Sequence, residues 1–257
     1  MLITSKDNLK IKELKELISS KKMRINSGSF VIEGIRIFAE AVRENADIKS
    51  VFVTETALSK YADVFKSLRP DNFYIIADEL SKKVTDEKSP QGIFAVVNNL
   101  DKELTMGINF ERVLILNNIQ DPGNIGTLLR TADALGVKKV ILCENCCELY
   151  NPKVIRSTMG SIFRLDISVV KCFETVVKYL KANNITTYAA VVDKQAQSIE
   201  NITFDGKCAA VIGNEGNGLS DEHTALCDSK ITISMMGNAE SLNASVAAAI
   251  ILWEMTK

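Results

Sequence analysis

The chain has 257 residues, enough for one large domain or two modest ones, and either size can bury a real core. A formal net charge of −1 excludes a global nucleic-acid signature, and no apolar run is long enough to span a bilayer. The N-terminus, Met1-Leu2-Ile3-Thr4-Ser5-Lys6, lacks the apolar stretch of a signal peptide, so the expectation is a cytoplasmic protein whose six cysteines are reduced.

Residues 4–24 carry Lys6, Lys10, Lys12, Lys15, Lys21, Lys22 and Arg24 against Asp7, Glu13 and Glu16. Leu9, Ile11, Leu14, Leu17 and Ile18 recur at helical spacing, which predicts an amphipathic helix with a basic outer face. That face reads equally as a solvated surface or as a patch for phosphates. Next come a strand over 29–33, a helix over 35–42 after the Gly34 turn and a strand over 51–54. A helix over 58–68 and strands over 73–76 and 92–97 close this half. Residues 98–109 are polar, include Gly107 and read as a connector, so the chain divides into 1–98, a linker at 99–110, and 111–257.

The second half alternates more regularly, with strands expected over 113–116, 139–142, 166–170, 186–192, 208–212 and 230–233, and a long helix at the end. Continuous Val/Ile/Leu/Ala runs separated by helices imply a parallel sheet covered on both faces. The first of these strands is followed by NNIQDPGNIG, which is not the glycine fingerprint of an ordinary dinucleotide or Rossmann-methyltransferase fold. Cys143, Cys146 and Cys147 contain a CxxC, but no second pair completes a tetrahedral metal site, so no metal is expected. His223 is the single histidine, which argues against a Ser-His-Asp or Cys-His enzyme.

The loop Gly213-Asn214-Glu215-Gly216-Asn217-Gly218-Leu219-Ser220 comes directly after the strand over 208–212 and imitates a phosphate-binding loop. The imitation fails at Leu219, where a phosphate-binding Lys belongs. With Ser220 as helix cap, Asp221 and Glu222 fill the first turn, satisfy the helix dipole and repel a triphosphate. The loop therefore suits a neutral or cationic ligand, although taken alone it serves equally as a tight turn.

Three stretches stand after strands and before helices: Asp121 to Gly136 (DPGNIGTLLRTADALG), Ile212 to Ser220, and Ile233 to Ala247 (ISMMGNAESLNASVA). In this order and at these spacings they resemble the three motifs of the SpoU (TrmH-like) family of RNA ribose 2′-O-methyltransferases, within the SPOUT superfamily. The resemblance spans residues 111–257. The first hundred residues resemble the ribosomal-protein-like α/β substrate-binding domain often attached to such enzymes, with FVIEG at 30–34 and QGIFA at 91–95 as weaker signals.

The resemblance implies a deep trefoil knot in the C-terminal sheet, an exception to the rule against knotted chains. It implies S-adenosyl-L-methionine held by Gly213, Ile233 and Leu242, with Asn214 and Gly218 in the same loop. It also implies a homodimer whose site is completed across the interface. Asn124, Arg130, Glu215, Ser241 and Asn243 fall on the family's polar catalytic positions. Two roles stay open for Arg130: base for the 2′-hydroxyl, a demanding task for a guanidinium, or clamp for the phosphate and nucleophile. Glu215 orients Arg130, orders the loop, or simply binds nearby amides. Ser241 caps the last helix or, with Asn243, positions the nucleophile or Arg130; Asn124 holds the same network together. For the last helix, Ala244, Ala247, Ala248 and Ile251 supply small residues, and Ile250 and Trp253 apolar area, for packing against a second copy or within one subunit. The implied activity is ribose 2′-O-methylation of structured RNA, with ribosomal RNA favoured; the alternatives are a transfer-RNA ribose methyltransferase and a non-catalytic RNA-binding protein that kept the fold.

Overall fold

The computed structural model describes residues 2–66, 72–85, 87–104 and 110–257. The chain forms two compact units: Met1–Leu100 with Tyr150–Phe163, and Asp101–Leu149 with Arg164–Lys257. Among the described residues, no helix is long and apolar enough to cross a membrane.

The first unit runs β1 (Leu2–Ile3), α1 (Leu9–Ser19), α2 (Lys21–Ser27), β2 (Ser29–Glu33), α3 (Ile35–Arg43), β3 (Ile48–Thr54), α4 (Glu55–Lys60) and α5 (Ala62–Phe65). It continues through β4 (Phe73–Ile76), α6 (Asp78–Val84) and β5 (Ile93–Asn98). The five strands order as β1-β4-β3-β5-β2, with β5 antiparallel to both neighbours and the remaining pairs parallel. Ile11, Leu14 and Leu17 of α1 pack with Phe52, Ile76, Leu80 and Phe94 over one face of the sheet.

The single basic helix expected over 4–24 is two helices. Ser20 leaves helical geometry, ends α1, and caps α2 by accepting from the Met23 amide at 3.2 Å. Arg24 does not belong to the basic outer face. It is buried, and its guanidinium donates to the Leu17 and Ile18 carbonyls at 2.7 and 2.9 Å, satisfying groups that α1 leaves open at its end. The helix expected over 58–68 starts earlier and is interrupted at Tyr61, between α4 and α5. Its expected end, and Gly107 of the connector, lie outside the described residues.

The second unit begins with β6 (Arg112–Asn117), α7 (Pro122–Ala134) and β7 (Lys139–Cys143). After α8 (Pro152–Thr158) come β8 (Asp166–Val169), α9 (Phe173–Ala182), β9 (Thr186–Ala190) and β10 (Gln197–Ser198). The chain ends with β11 (Cys208–Ile212), α10 (Asp221–Leu226), β12 (Ser229–Thr232) and α11 (Ala244–Met255). All seven strands are parallel, in the order β10-β12-β9-β11-β6-β7-β8. β7 and β11 are buried along their whole length, as strands covered on two faces must be. Alternate residues Val113, Ile115, Ala209 and Val211 pack against Phe173, Val176, Val177 and Leu180 of α9. The other face receives α11, which packs on α7 and β11.

α8 belongs to the first unit, although the sequence division puts all of 111–257 in the second. Local physics explains the excursion: the Tyr150 ring stacks on Phe30 at a centroid distance of 4.6 Å. Its hydroxyl accepts from the Leu100 amide at 2.6 Å, and Arg156 pairs with Glu87 at 3.1 Å. None of these partners is close in sequence, so periodicity carries no trace of them.

Candidate functional site

The strands β12, β9, β11 and β6 are neighbours and run in one direction, so their carboxyl ends open on one edge of the sheet. Ligands of parallel α/β sheets bind at such an edge. Here the loops after β9, β11 and β12 meet around a cavity of about 500 Å³, well within the usual range for small-molecule sites. Gly213, Asn214, Glu215, Gly218, Ile233, Ser241 and Leu242 all line it. Asn124, Arg130 and Asn243 do not.

The glycine loop is held by itself. Asn214 and Gly218 exchange amide-to-carbonyl bonds of 3.0 and 2.9 Å, and the Asn214 carboxamide oxygen accepts from the amides of Gly216 and Asn217. The sequence assigns Gly213 to the close approach of a ligand. The closest approach is instead to the loop's own return: a Cβ there would stand 2.4 Å from the Gly218 carbonyl carbon and 2.5 Å from the Leu219 nitrogen. Ser220 caps α10 by accepting from the His223 amide at 3.2 Å, with Asp221 and Glu222 in its first turn.

A polar network joins this loop to the start of α7 and α11. Glu215 accepts from the amides of Gln120 (3.2 Å) and Asp121 (3.0 Å) and from Asn124 Nδ2 (3.1 Å). Partial burial pushes its pKa up, but these hydrogen bonds outweigh burial and hold the carboxyl below its usual range. The Asn124 carboxamide oxygen accepts from Asn243 Nδ2 at 3.2 Å. Asp121 caps α7 by accepting from the Asn124 amide at 2.8 Å, and Pro122 opens the helix. The last helix is capped by Asn243, whose Oδ1 accepts from the Ser245 amide at 2.9 Å. Ser241 stands outside the helix and is not its cap. Arg130 is exposed on α7 and makes no hydrogen bond or ion pair with a described residue, Glu215 included.

Sequence reasoning missed the loop after β9. Val191, Val192 and Asp193 line the cavity, with Val192 75% exposed. No glycine motif marks it; only the parallel neighbours on both sides bring it there. The cavity wall carries Asp193, Glu215, Asp221 and Glu240 against one cation, Lys230, among the described residues. With Ile233, Leu242, Ala247 and Ile251 as apolar wall, this donor set fits a cationic ligand with a flat apolar part and not a polyphosphate. Cys143 and Cys146 form the turn after β7; burial pushes the Cys146 thiol up to about 11, and its Sγ lies 3.3 Å from the Leu116 carbonyl. Among the described residues, no group of His, Cys, Asp or Glu is arranged to hold a metal ion.

Fold and site together define an α/β protein that takes a small cationic or neutral ligand at the carboxyl ends of a parallel sheet, beside a polar network built from three loop motifs. Residues 111–253 match the SpoU rRNA Methylase family, and residues 8–95 match the MRM3-like substrate binding domain. The chain belongs to the SpoU rRNA methylase family. It is 32% identical to the 23S rRNA (guanosine(2553)-2′-O)-methyltransferase RlmP of Bacillus subtilis, over 98% of each chain. It is 29% identical to the 23S rRNA (uridine(2479)-2′-O)-methyltransferase of Streptomyces viridochromogenes, over 99% of this chain and 91% of that one. The crystal structure of the SpoU methyltransferase AviRb from Streptomyces viridochromogenes, in complex with AdoMet, superposes with a TM-score of 0.87 at 27% identity, covering 97% of both chains.

Proposed function

We propose that this chain is an S-adenosylmethionine-dependent methyltransferase that modifies a ribose 2′-oxygen in structured RNA, ribosomal RNA being the favoured substrate. The observation that carries the reading is the joining of the cofactor-sized cavity to the Glu215–Asn124–Asn243 network by one loop, Gly213 to Ser220. The two relatives named as 23S rRNA 2′-O-methyltransferases match over nearly the whole chain, which supports both the chemistry and the class of RNA. Gly213, Asn214, Gly218, Ile233 and Leu242 hold the cofactor, the glycines through backbone and the two aliphatic side chains against adenine. When bound, S-adenosylmethionine supplies an electrophilic methyl group on a sulfonium, so the protein needs to align a nucleophile and remove its proton, without a metal.

Arg130 is the residue free to meet RNA, as base or as clamp, because no described protein group occupies its guanidinium. Glu215, Asn124 and Asn243 hold the cofactor loop against the start of α7, the helix that carries Arg130, while Ser241 lines the cavity. The pure protein should bind S-adenosylmethionine and not ATP in equilibrium titrations; the opposite preference would overturn the reading.

The chain is read as a cytoplasmic homodimer with a deep trefoil knot in its second unit. Ala248 and Ile251 are buried within the subunit, so they do not form the partner-facing surface. Val246, Ala249, Ile250 and Trp253 recur at helical spacing along α11 and, with Thr127 and Thr131 of α7, line an outward apolar groove. Val246 is 48% and Trp253 56% exposed, and a second copy of this face covers them.

The first unit is read as the RNA-binding, ribosomal-protein-like domain. Lys21 and Lys22 are exposed in the first turn of α2, where the helix dipole disfavours cations, so phosphates are their natural partners. Lys10 is partly engaged, pairing with Glu13 at 3.0 Å. Replacing Lys10, Lys21 and Lys22 with Gln should flatten the logarithmic salt dependence of RNA binding by roughly 2–3 units, at ~0.7–0.9 per phosphate. An unchanged slope would make this face merely solvated.

Glu215 yields a pH prediction. Its folded pKa is depressed, so its contribution is complete above the unfolded value of about 4.3 and is lost as pH falls through the folded value. Cofactor affinity should therefore show no Glu215-dependent step between pH 6 and 8 and should drop only in acid. Glu215→Gln, which replaces a charged acceptor with a neutral one, should weaken binding about tenfold at neutral pH and abolish the acid step. Cofactor titration across pH measures both.

A further inference from the structure

Asn117 closes β6, is 3% exposed, and leaves its side-chain oxygen buried without a partner among the described residues. Its amide nitrogen meets one group, Nδ1 of His223 on α10, at 2.9 Å. With Asn117 Nδ2 as donor, Nδ1 accepts and the ring proton stands on Nε2, which faces Glu144 Oε2 at 3.6 Å. The ring also packs on Phe173 at a centroid distance of 4.8 Å. Glu144 is itself fixed, because its Oε1 accepts from the Phe173 amide at 2.9 Å.

Directly after Asn117 the chain enters the loop that builds the reacting centre. Asn118 takes the left-handed conformation, φ 61°. Its amide donates to the Glu144 carbonyl and its carbonyl accepts from Asn214 Nδ2, each at 2.9 Å. Gln120 and Asp121 then present to Glu215 the two amides that hold it. The loop is thus tied to the glycine loop on one side through Asn118 and Glu215. On the other side the tie to α10 is the Asn117–His223 bond. A buried carboxamide that keeps one partner and forgoes another is costly, and it persists where the surrounding structure needs its placement.

We infer that His223 is a positioning residue for methyl transfer: through Asn117 it pins the start of the Asn118–Asp121 loop to α10 and so fixes the amides that orient Glu215. The inference rests on the proposed methyltransferase reading. His223 touches neither RNA nor cofactor in this role. Its loss acts on the rate of the chemical step, because displacement of a catalytic framework by about 1 Å can cost ~100-fold in rate.

The test compares full-length wild type with His223→Ala, His223→Asn, Asn117→Leu and the double variant His223→Ala/Asn117→Leu. Single-turnover methyl transfer is measured at saturating S-adenosylmethionine and ribosomal RNA, beside cofactor titration and hydrogen exchange of the Gln120 and Asp121 amides. His223→Ala should transfer ~10–100-fold more slowly with cofactor affinity within about threefold, and should exchange both amides faster. His223→Asn, which returns an acceptor near the Nδ1 position, should recover most of the rate and protection. Asn117→Leu should match the His223→Ala loss, and the double variant should be no worse than either single one. A wild-type rate and protection in His223→Ala, a loss confined to cofactor affinity, or an Asn variant as slow as the Ala variant would each overturn the positioning role. Recovery of the rate by Asn117→Leu in the His223→Ala background would also overturn it, by reducing the defect to an unpaired buried amide. If wild type itself transfers no methyl group, the methyltransferase reading fails, and the exchange data still decide whether His223 pins the loop.

Discussion

Arg130→Lys is expected to lower single-turnover methyl transfer by ~100-fold or more, the scale of a lost acid–base or electrostatic contribution. Lysine keeps the positive charge but not the planar fork, and it presents a point charge where the guanidinium presents fixed, parallel donors. The expectation is specific because Arg130 is exposed and has no hydrogen-bond or ion-pair partner among the described residues, so its replacement breaks no such bond in the free protein. Cofactor affinity should be nearly unchanged, since Arg130 is not among the residues that line the cavity. Transfer at saturating RNA, beside cofactor titration of the same preparation, separates the two quantities. Near-normal transfer by Arg130→Lys would remove the guanidinium role and leave only a need for charge.

Gly213→Val is expected to do the reverse, weakening cofactor binding while leaving Arg130 in place. A branched side chain at Gly213 would collide with the Gly218–Leu219 backbone, where even a Cβ would stand 2.4 Å from a carbonyl carbon. The loop must open, and with it go the Asn214–Gly218 bridge and the placement of Glu215. Overpacking of this kind costs about 1–3 kcal/mol; borne wholly by the cofactor-bound form, at about 1.4 kcal/mol per decade, it weakens binding ~5–150-fold. Calorimetric titration of folded Gly213→Val with S-adenosylmethionine checks it, and unchanged affinity would remove the assigned pocket. The two variants also test the shared site. Subunits carrying Arg130→Ala, mixed with Gly213→Val subunits, should regain about one working site per heterodimer if each site draws its Arg and its cofactor from different chains. No recovery after verified subunit exchange would place both in one subunit.

Much of the second unit was legible because parallel strands buried on both faces are continuous apolar runs. Cys208–Ile212 reads from the sequence with the bounds it has in the fold, and the Ser220 cap and acidic first turn behind it come from residue chemistry alone. What escaped depended on partners distant in sequence. The break at Ser20 turns on a buried Arg24 that periodicity counts as a surface cation. The excursion of Tyr150–Phe163 into the first unit depends on Phe30 and Glu87. The cap of α11 is Asn243 and not Ser241, a shift of two residues that composition does not resolve. Within the site, the glycine loop stands out by its residues and the polar residues were named only through the family resemblance, and neither gives the pairing of Glu215, Asn124 and Asn243. Strand order is what lets Glu215 hold the Gln120 and Asp121 amides and brings the Val191–Asp193 loop over the cavity.

Methyl transfer to a ribose 2′-oxygen is decided by incubating the protein with methyl-labelled S-adenosylmethionine and ribosomal RNA lacking the modification. Label is expected in the RNA at a single linkage that resists alkaline cleavage, as a 2′-O-methylated ribose must, and none with Arg130→Ala. Label on a base, equal labelling by Arg130→Ala, or no transfer by the wild-type protein to ribosomal RNA would contradict that expectation.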